Sequence, residues 1–356
     1  MSAVTNLPAE MAVREQEPLN AETPFEQLAS ALTPNQLFYI RNHFRIPRLD
    51  RERFELTLGG AVRRPITLRY RDLLTMPAVS RRITLECAGN SRDFLEPRVD
   101  GVQWHLGAVG SAEWSGVSLR TLLKEAGAKR DACEIIFEAA DRGTPQEKPV
   151  PPGEIRYTRS IPLAKADNVL LAYAMNGAEL PVEHGAPLRA IVAGYYGMAS
   201  VKWLTGIRLV TEPFRGYWQT IDYAYWDLSG GQPVRRALRE MHLKSEIANP
   251  RAGEVIAANS FYEIVGAAWS GESTVEGVEV STDDGASWAQ AEFIDRTEPF
   301  LWRRWRYPWK VPEWRGRLVL RSRATDRQGQ TQPDHHDPYY GSYAVAHTLP
   351  VAIQVR

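Results

Sequence analysis

The chain has 356 residues, with 43 Lys plus Arg against 43 Asp plus Glu, 44% apolar and 24% charged residues. That length exceeds one ordinary core and predicts two domains of roughly 100–200 residues each. The balanced charge argues against nucleic-acid binding through bulk charge while leaving local anion sites open, and the composition favours neither a disordered chain nor a membrane span.

Residues 1–34 read as an extended N-terminal arm, because Pro8, Pro18, Pro24 and Pro34 break any helix longer than about two turns. Neither a basic start nor an Arg pair precedes an apolar stretch, so the expected location is the cytoplasm, or the periplasm if the chain is a processed form. From Phe38 the pattern changes. Residues 54–60 alternate as a strand and end in a Gly pair. Residues 67–77 read as a short helix stopped by Pro77, and 81–90 as a strand running into a Gly-containing loop. Residues 118–128 place Leu119, Leu122 and Leu123 on one helical face, with Gly127 as the C-cap. Strands follow at 133–140, 169–177, 188–194 and 201–210. This mixture predicts an α+β domain over 35–240. Beyond it, short strand candidates separated by Gly, Asp and Pro turns predict an all-β sandwich over 241–356.

Two cysteines, Cys87 and Cys133, exclude a disulfide framework and a zinc site built from cysteine alone. Cys87 stands in Leu85-Glu86-Cys87-Ala88-Gly89-Asn90-Ser91-Arg92, where a strand delivers the thiol to its end. Ala88 and Gly89 leave room for a bulky group to approach the backbone. A thiolate there is a soft ligand for a transition metal, and Arg92 favours the thiolate or binds an anion. Taken alone, a single cysteine at a strand end is more often a small core residue. Cys133 is expected in a core strand. A second set of residues suits anions: Arg41 and His43, His184 and Arg189, and Lys202 after the Gly-rich loop 194–200, whose backbone N–H groups can cradle phosphate. Singly, each reads as a surface or structural residue.

In chain order these segments resemble the sulfite oxidase family of molybdopterin enzymes, which includes the eukaryotic nitrate reductases. The resemblance rests on Arg41-Asn42-His43, Leu85 to Arg92, Trp114-Ser115-Gly116-Val117, Ser160-Ile161-Pro162-Leu163 and Leu171 to Gly177 with Leu180-Pro181. It continues through His184 to Arg189, Val201-Lys202-Trp203, Trp218-Gln219 and Asp222-Tyr223, and covers about 35–350. It implies a molybdopterin-binding domain followed by an immunoglobulin-like dimerisation domain, and hence a homodimer. The implied cofactor is molybdenum-molybdopterin, with Cys87 as the protein's metal ligand. Arg41, Arg92 and Tyr223 match pocket positions. Arg303 looks like a further pocket arginine sent from the second domain, with Arg304 or Arg306 as alternatives. His43, Asp141, His184, Arg189, Ser200 and Lys202, together with Arg41, match the cofactor-binding positions.

The activity implied is oxidation of sulfite to sulfate by oxygen-atom transfer. The same scaffold acting on nitrate, a sulfoxide or another sulfur species is the alternative among enzymes, and an inactive relic with a β-sandwich binding module is the alternative outside them. The electron acceptor is unidentified, cytochrome c and oxygen both being open. One departure stands out: many family members carry two arginines after Cys-Ala-Gly-Asn, and here the first is Ser91. Two further motifs have bland readings. Residues 281–288 fit an Asp-box hairpin, expected as a structural turn. The pair His335-His336 is expected in a solvated loop, since adjacent strand residues point opposite ways.

Overall fold

A computed structural model describes residues 7–28, 30–146 and 149–356. Among the described residues the chain is strand-rich, with two short α-helices, Tyr70–Thr75 and Leu119–Ala126, and the first domain shows two five-stranded sheets. In one, Ala78–Glu86, Val109–Ser118 and Val169–Met175 run antiparallel, with Ala178–Glu179 and Arg189–Val192 both paired to Val169–Met175. The other has the order Ile66–Arg69, Glu55–Gly60, Leu204–Val210, Glu134–Gly143, Ile155–Pro162.

Local chemistry explains most of these elements. Helix Leu119–Ala126 buries Leu119, Leu122, Leu123 and Ala126, the i, i+3, i+4, i+7 stripe, and stops at Gly127, whose φ of 67° lets its N–H return to Leu123 O. The helix expected over 67–77 is only half there. Thr67 and Leu68 pair with Thr57 and Leu56 as an antiparallel strand, and Tyr70–Thr75 makes the helix. Pairing with Glu55–Gly60 overrides local helix preference. The strand expected over 81–90 runs instead from Ala78 to Glu86, leaving Cys87 at the head of the loop. Val109–Ser118 carries no clear strand pattern because small residues fill it. It forms as the central strand of its sheet, and Gly116 allows the close approach: a Cβ there would sit 2.0 Å from Leu171 O.

The second domain is an immunoglobulin-like sandwich of two sheets. One contains Lys244–Asn249, Phe261–Trp269, Arg303–Lys310 and Glu292–Phe293; the other contains Val255–Ile256, Val351–Val355, Gly316–Asp326, Val275–Ser281 and Ala289–Gln290. Ile264, Trp305, Val278, Leu320 and Ile353 fill the space between them. The Asp-box segment is a turn after Val275–Ser281, closed by Asp283, which accepts from Ser281 Oγ at 2.7 Å and Ser287 N–H at 2.8 Å. His335 is exposed, and His336 Nε2 lies 2.8 Å from Gly341 O in a loop.

The domains share one core, because Trp269, Leu301, Trp302 and Ala344 pack into the cluster built by the first domain's sheets. The N-terminal arm is bonded into both. Ala12–Glu15 and Asn20–Glu22 form a hairpin, and Phe25 sets its ring edge against Trp269 at 6.3 Å and Trp302 at 6.4 Å. Asn20 Oδ1 accepts the N–H of Asn42 at 2.7 Å, and Asn42 Nδ2 donates to Leu19 O at 2.8 Å. The arm thereby fixes the backbone between Arg41 and His43. Cys133 is half-buried just before strand Glu134–Gly143 rather than within a core strand.

Candidate active site

Where the first domain's sheets meet the loop after Asn42 lies a partly open cavity of about 620 Å³, the solvent at its mouth included. Cys87 lies in its wall. The strand Ala78–Glu86 delivers it there, and its own N–H bonds Ala108 O at 2.8 Å, fixing where the strand ends and the loop begins. The thiol is buried, which pushes its pKa up. The Arg41 charge, a bond from the Gly89 N–H and the Arg92 charge work the other way. A bound cation would tip that balance to the thiolate.

Arg41, His43, Asp141, His184, Arg189, Ser200, Lys202 and Tyr223 line the same cavity. Widely separated stretches of sequence are thus gathered around one thiol. Arg189 is anchored by donating to His184 O at 2.8 Å and Ser200 O at 3.0 Å, with its guanidinium 5.0 Å over the Trp114 ring. Ser200 Oγ accepts the Val192 N–H at 3.0 Å. Lys202 donates to Asn42 Oδ1 and, at 2.9 Å, to Glu183 O, and lies 4.4 Å over Trp203. His43 stacks on Tyr157 at 4.7 Å, and its Nε2 lies 2.6 Å from the Tyr223 hydroxyl.

Burial and like charge govern the titrations. His184 is pushed down to about 3, chiefly by burial, and His43 well below its usual value by burial and then by Arg41 and Lys202. Both imidazoles are therefore neutral donors or acceptors. Burial raises Tyr223 well above its usual range, so its hydroxyl keeps its proton. Burial also lowers Arg189 to about 10 and Lys202 well below a normal lysine. Asp141 is raised to about 6 by burial, against the pull of Lys202.

This lining carries three basic side chains, Arg41, Arg189 and Lys202, against one carboxylate, Asp141. The buried Nε of Arg189 has no hydrogen-bond partner among the described residues. Buried basic groups crowded in this way disfavour one another's charged forms, and an anion entering among them would favour the charge again. Among the described residues no group of three or more His, Cys, Asp and Glu side chains could hold a metal ion. A metal here would rest on the Cys87 thiolate and on ligands brought by an anionic cofactor. A phosphate-bearing pterin dithiolene carrying molybdenum fits both demands: soft sulfur for the metal, and cations with an unpaired donor for the phosphate.

Arg92 stands beside this cavity, not in its lining. It is buried, donating Nε to Ser342 O at 3.0 Å and Nη1 to Val102 O at 2.9 Å. The room at Gly89 is taken by this guanidinium, since a Cβ there would lie 2.5 Å from Arg92 Nη2, and one at Gly101 would lie 2.4 Å from Nη1. Gly89 thus serves the arginine, where the sequence suggested space for a ligand. Arg303 is placed elsewhere altogether. Its Nη1 donates to Val275 O at 2.8 Å, and its guanidinium caps Phe293 at 3.3 Å. Arg304 pairs with Asp295 at 2.9 Å and Arg306 with Glu292 at 3.1 Å, so all three are held within the sandwich. Sequence reasoning also missed lining residues. Asn42 and Trp203 lie inside motifs already quoted, and Phe38 and Tyr39 stand just before one, which was a usable signal; Tyr157, whose hydroxyl donates to Met198 O at 2.8 Å, had none.

Residues 43–218 match the family model described as an oxidoreductase molybdopterin binding domain, and residues 235–348 match a Mo-co oxidoreductase dimerisation domain. The chain is 34% identical to the sulfite oxidase of Gallus gallus over 95% of its own length and 76% of that protein. It belongs to the sulfite oxidase family. The mitochondrial sulfite oxidase of Mus musculus is 33% identical over 93% of this chain, and the chain spans 62% of that protein's length, a little under two thirds. Among solved structures, the sulfane dehydrogenase SoxCD from Paracoccus pantotrophus superposes with a TM-score of 0.80 at 26% identity, covering 98% of this chain and 86% of that one. The molybdopterin-domain match includes Cys87 and most of the cationic lining around it.

Proposed function

We propose that this family member oxidises sulfite to sulfate, passing the electrons to a separate acceptor such as cytochrome c or oxygen. The observation that carries the reading is the buried Cys87 thiol in the wall of a cavity whose charged lining is mostly cationic. Cys87 would hold the metal. Arg189, Lys202, His43, His184, Ser200 and Asp141 would hold the pterin and its phosphate. When bound, that cofactor supplies the two-electron redox chemistry and the oxygen atom transferred. The chain's own part is to bind and orient the anion. Arg41 offers positive charge within the cavity, and Arg92 adds its field from behind Gly89. Tyr223 keeps its hydroxyl proton and offers it as a hydrogen bond, with the neutral His43 fixing its direction. The buried tyrosine and tryptophan rings around them exclude water, which strengthens each of these interactions.

The second domain would pair two chains as a homodimer, which light scattering at micromolar concentration tests directly. The activity is tested by metal analysis and sulfite-dependent reduction of ferricyanide. Molybdenum near one atom per chain with sulfite turnover is expected. Loaded protein that leaves sulfite untouched but oxidises a sulfane substrate or reduces nitrate would overturn the substrate reading.

A further inference from the structure

Arg303 was the sequence's candidate for a second-domain residue in the pocket, and the fold places it away. The second domain nevertheless reaches the Cys87 loop, through the segment after Pro338–Tyr340. Ser342 O accepts from Arg92 Nε at 3.0 Å, and the Ala344 N–H donates to Ala88 O at 2.8 Å. Tyr343 stands between these two bonds. Its ring lies 5.1 Å from the Arg92 guanidinium carbon and 4.9 Å from the Tyr223 ring, and its hydroxyl donates to Asp222 Oδ1 at 2.7 Å.

We propose that Tyr343 is the second domain's contribution to the anion pocket, a positioning residue that sets Arg92 and Tyr223 from behind. The inference deepens the reading above and rests on it. Among the described residues no carboxylate pairs with Arg92: its acceptors are two backbone carbonyls, and its flat face meets an aromatic ring. This arrangement holds the guanidinium still without neutralising it, so its field remains available to an anion beside Cys87. The same ring packs against Tyr223, while the bond to Asp222 fixes the backbone just before it. One side chain therefore couples both Tyr223, which lines the cavity, and Arg92, which stands behind Gly89, to the second domain. A tyrosine performs this coupling without adding a cation, so the pocket binds dianions with less positive charge than an arginine at this place would give it.

The test uses the molybdenum-loaded protein with Tyr343→Leu, which keeps apolar bulk, and Tyr343→Phe, which keeps the ring. Sulfate is titrated calorimetrically into each, and sulfite kinetics are measured at matched metal content. Tyr343→Leu should weaken sulfate binding and raise the sulfite KM by about tenfold, with kcat within about threefold, and Tyr343→Phe should restore most of the loss. Sulfate affinity and KM unchanged in Tyr343→Leu would overturn the proposal. So would parallel loss of metal, kcat and sulfate binding in both variants, which would mark a purely structural residue. So would a wild-type protein that does not bind sulfate. A wild type that binds sulfate but does not turn over sulfite, with the Leu variant still weakened, would overturn the sulfite reading alone.

Discussion

Lys244, on the first strand of the second domain, donates to Ser91 Oγ at 2.8 Å, four residues beyond the Cys87 thiol. The same ammonium lies 3.3 Å from Glu86 and 3.3 Å from Glu246, with all three side chains fully buried. Trp269 Nε1 adds a bond to Glu86 Oε2 at 2.9 Å. The Ser91 departure from the family pattern is thus occupied by a bond to a lysine of the other domain. Replacing Lys244 by Met strands two carboxylates in the interior. The expected loss is roughly 3–5 kcal/mol, the range for breaking a buried pair. A urea midpoint within error of the wild type would show that the ammonium contributes nothing there.

The triad also makes stability depend on pH. Burial raises Glu246 to about 7, with Lys244 pulling the other way and the Glu86 charge adding to the rise. The folded state therefore binds a proton that the unfolded chain releases near 4.5. Stability from this proton is full below about 4.5 and is lost as pH rises through about 7. Glu246→Gln removes the carboxylate and leaves Lys244 paired with Glu86. Its Tm relative to wild type should rise between pH 5 and about pH 7 and level off above, by an amount equivalent to roughly 2–3 kcal/mol at most. Parallel Tm curves for the two proteins across that range would refute the assignment.

The cationic lining predicts how the cofactor is retained. Lys202→Met removes one of three basic side chains and its bonds to Asn42 and Glu183. Pterin release, followed by fluorescence of the oxidised pterin, should accelerate by about tenfold, and added phosphate should stabilise the emptied variant less than the emptied wild type. Equal release rates from both proteins would place the phosphate elsewhere.

Much of this arrangement was legible in the sequence, for reasons that differ by residue. Cys87, His184, Arg189 and Lys202 sit in short ordered motifs, where local spacing is preserved by a turn or a strand end. Helix Leu119–Ala126 was legible because its apolar stripe and Gly127 cap are local. Strand Val109–Ser118 was not, because its small residues pair through a central position that only the assembled sheet creates. Arg303 was misplaced because an aromatic-flanked arginine on a strand can face either side, and the pairing with Phe261–Trp269 decides which. The N-terminal arm read as extended from its prolines. Phe25 between Trp269 and Trp302, and Asn20 against Asn42, depend on residues far away in sequence and left no local mark.

Cys87→Ser should cut turnover by on the order of a hundredfold or more, since a hard hydroxyl replaces a soft thiolate at the metal. The fold should survive, because the backbone bond to Ala108 and the strand pairing do not involve the sulfur. Cys133→Ser, at a half-buried position outside the cavity lining, should leave turnover intact. Wild-type turnover in a molybdenum-loaded Cys87→Ser protein would end the metal-ligand assignment.

Arg92→Gln tests whether the guanidinium acts on the anion or only clasps the second domain. Glutamine has two amide hydrogens on one nitrogen and no charge, so it can replace at most part of the clasp to Ser342 O and Val102 O. Each charged hydrogen bond lost costs roughly 1.5–3 kcal/mol, so a lower urea midpoint is expected whichever role holds. Kinetics separate the roles. A sulfite dianion at a partly dehydrated site loses the field of a buried cation, and the second-order rate should fall by about one to two orders of magnitude. The fall should appear mainly in KM if Arg92 serves ground state and transition state alike. Raising ionic strength should weaken the wild type more than the variant, because screening acts on the charge that was removed. The measurement is sulfite kinetics at two salt concentrations with metal content matched. A variant of reduced stability but unchanged kcat/KM and unchanged salt dependence would make Arg92 a clasp alone and leave Arg41 to hold the anion.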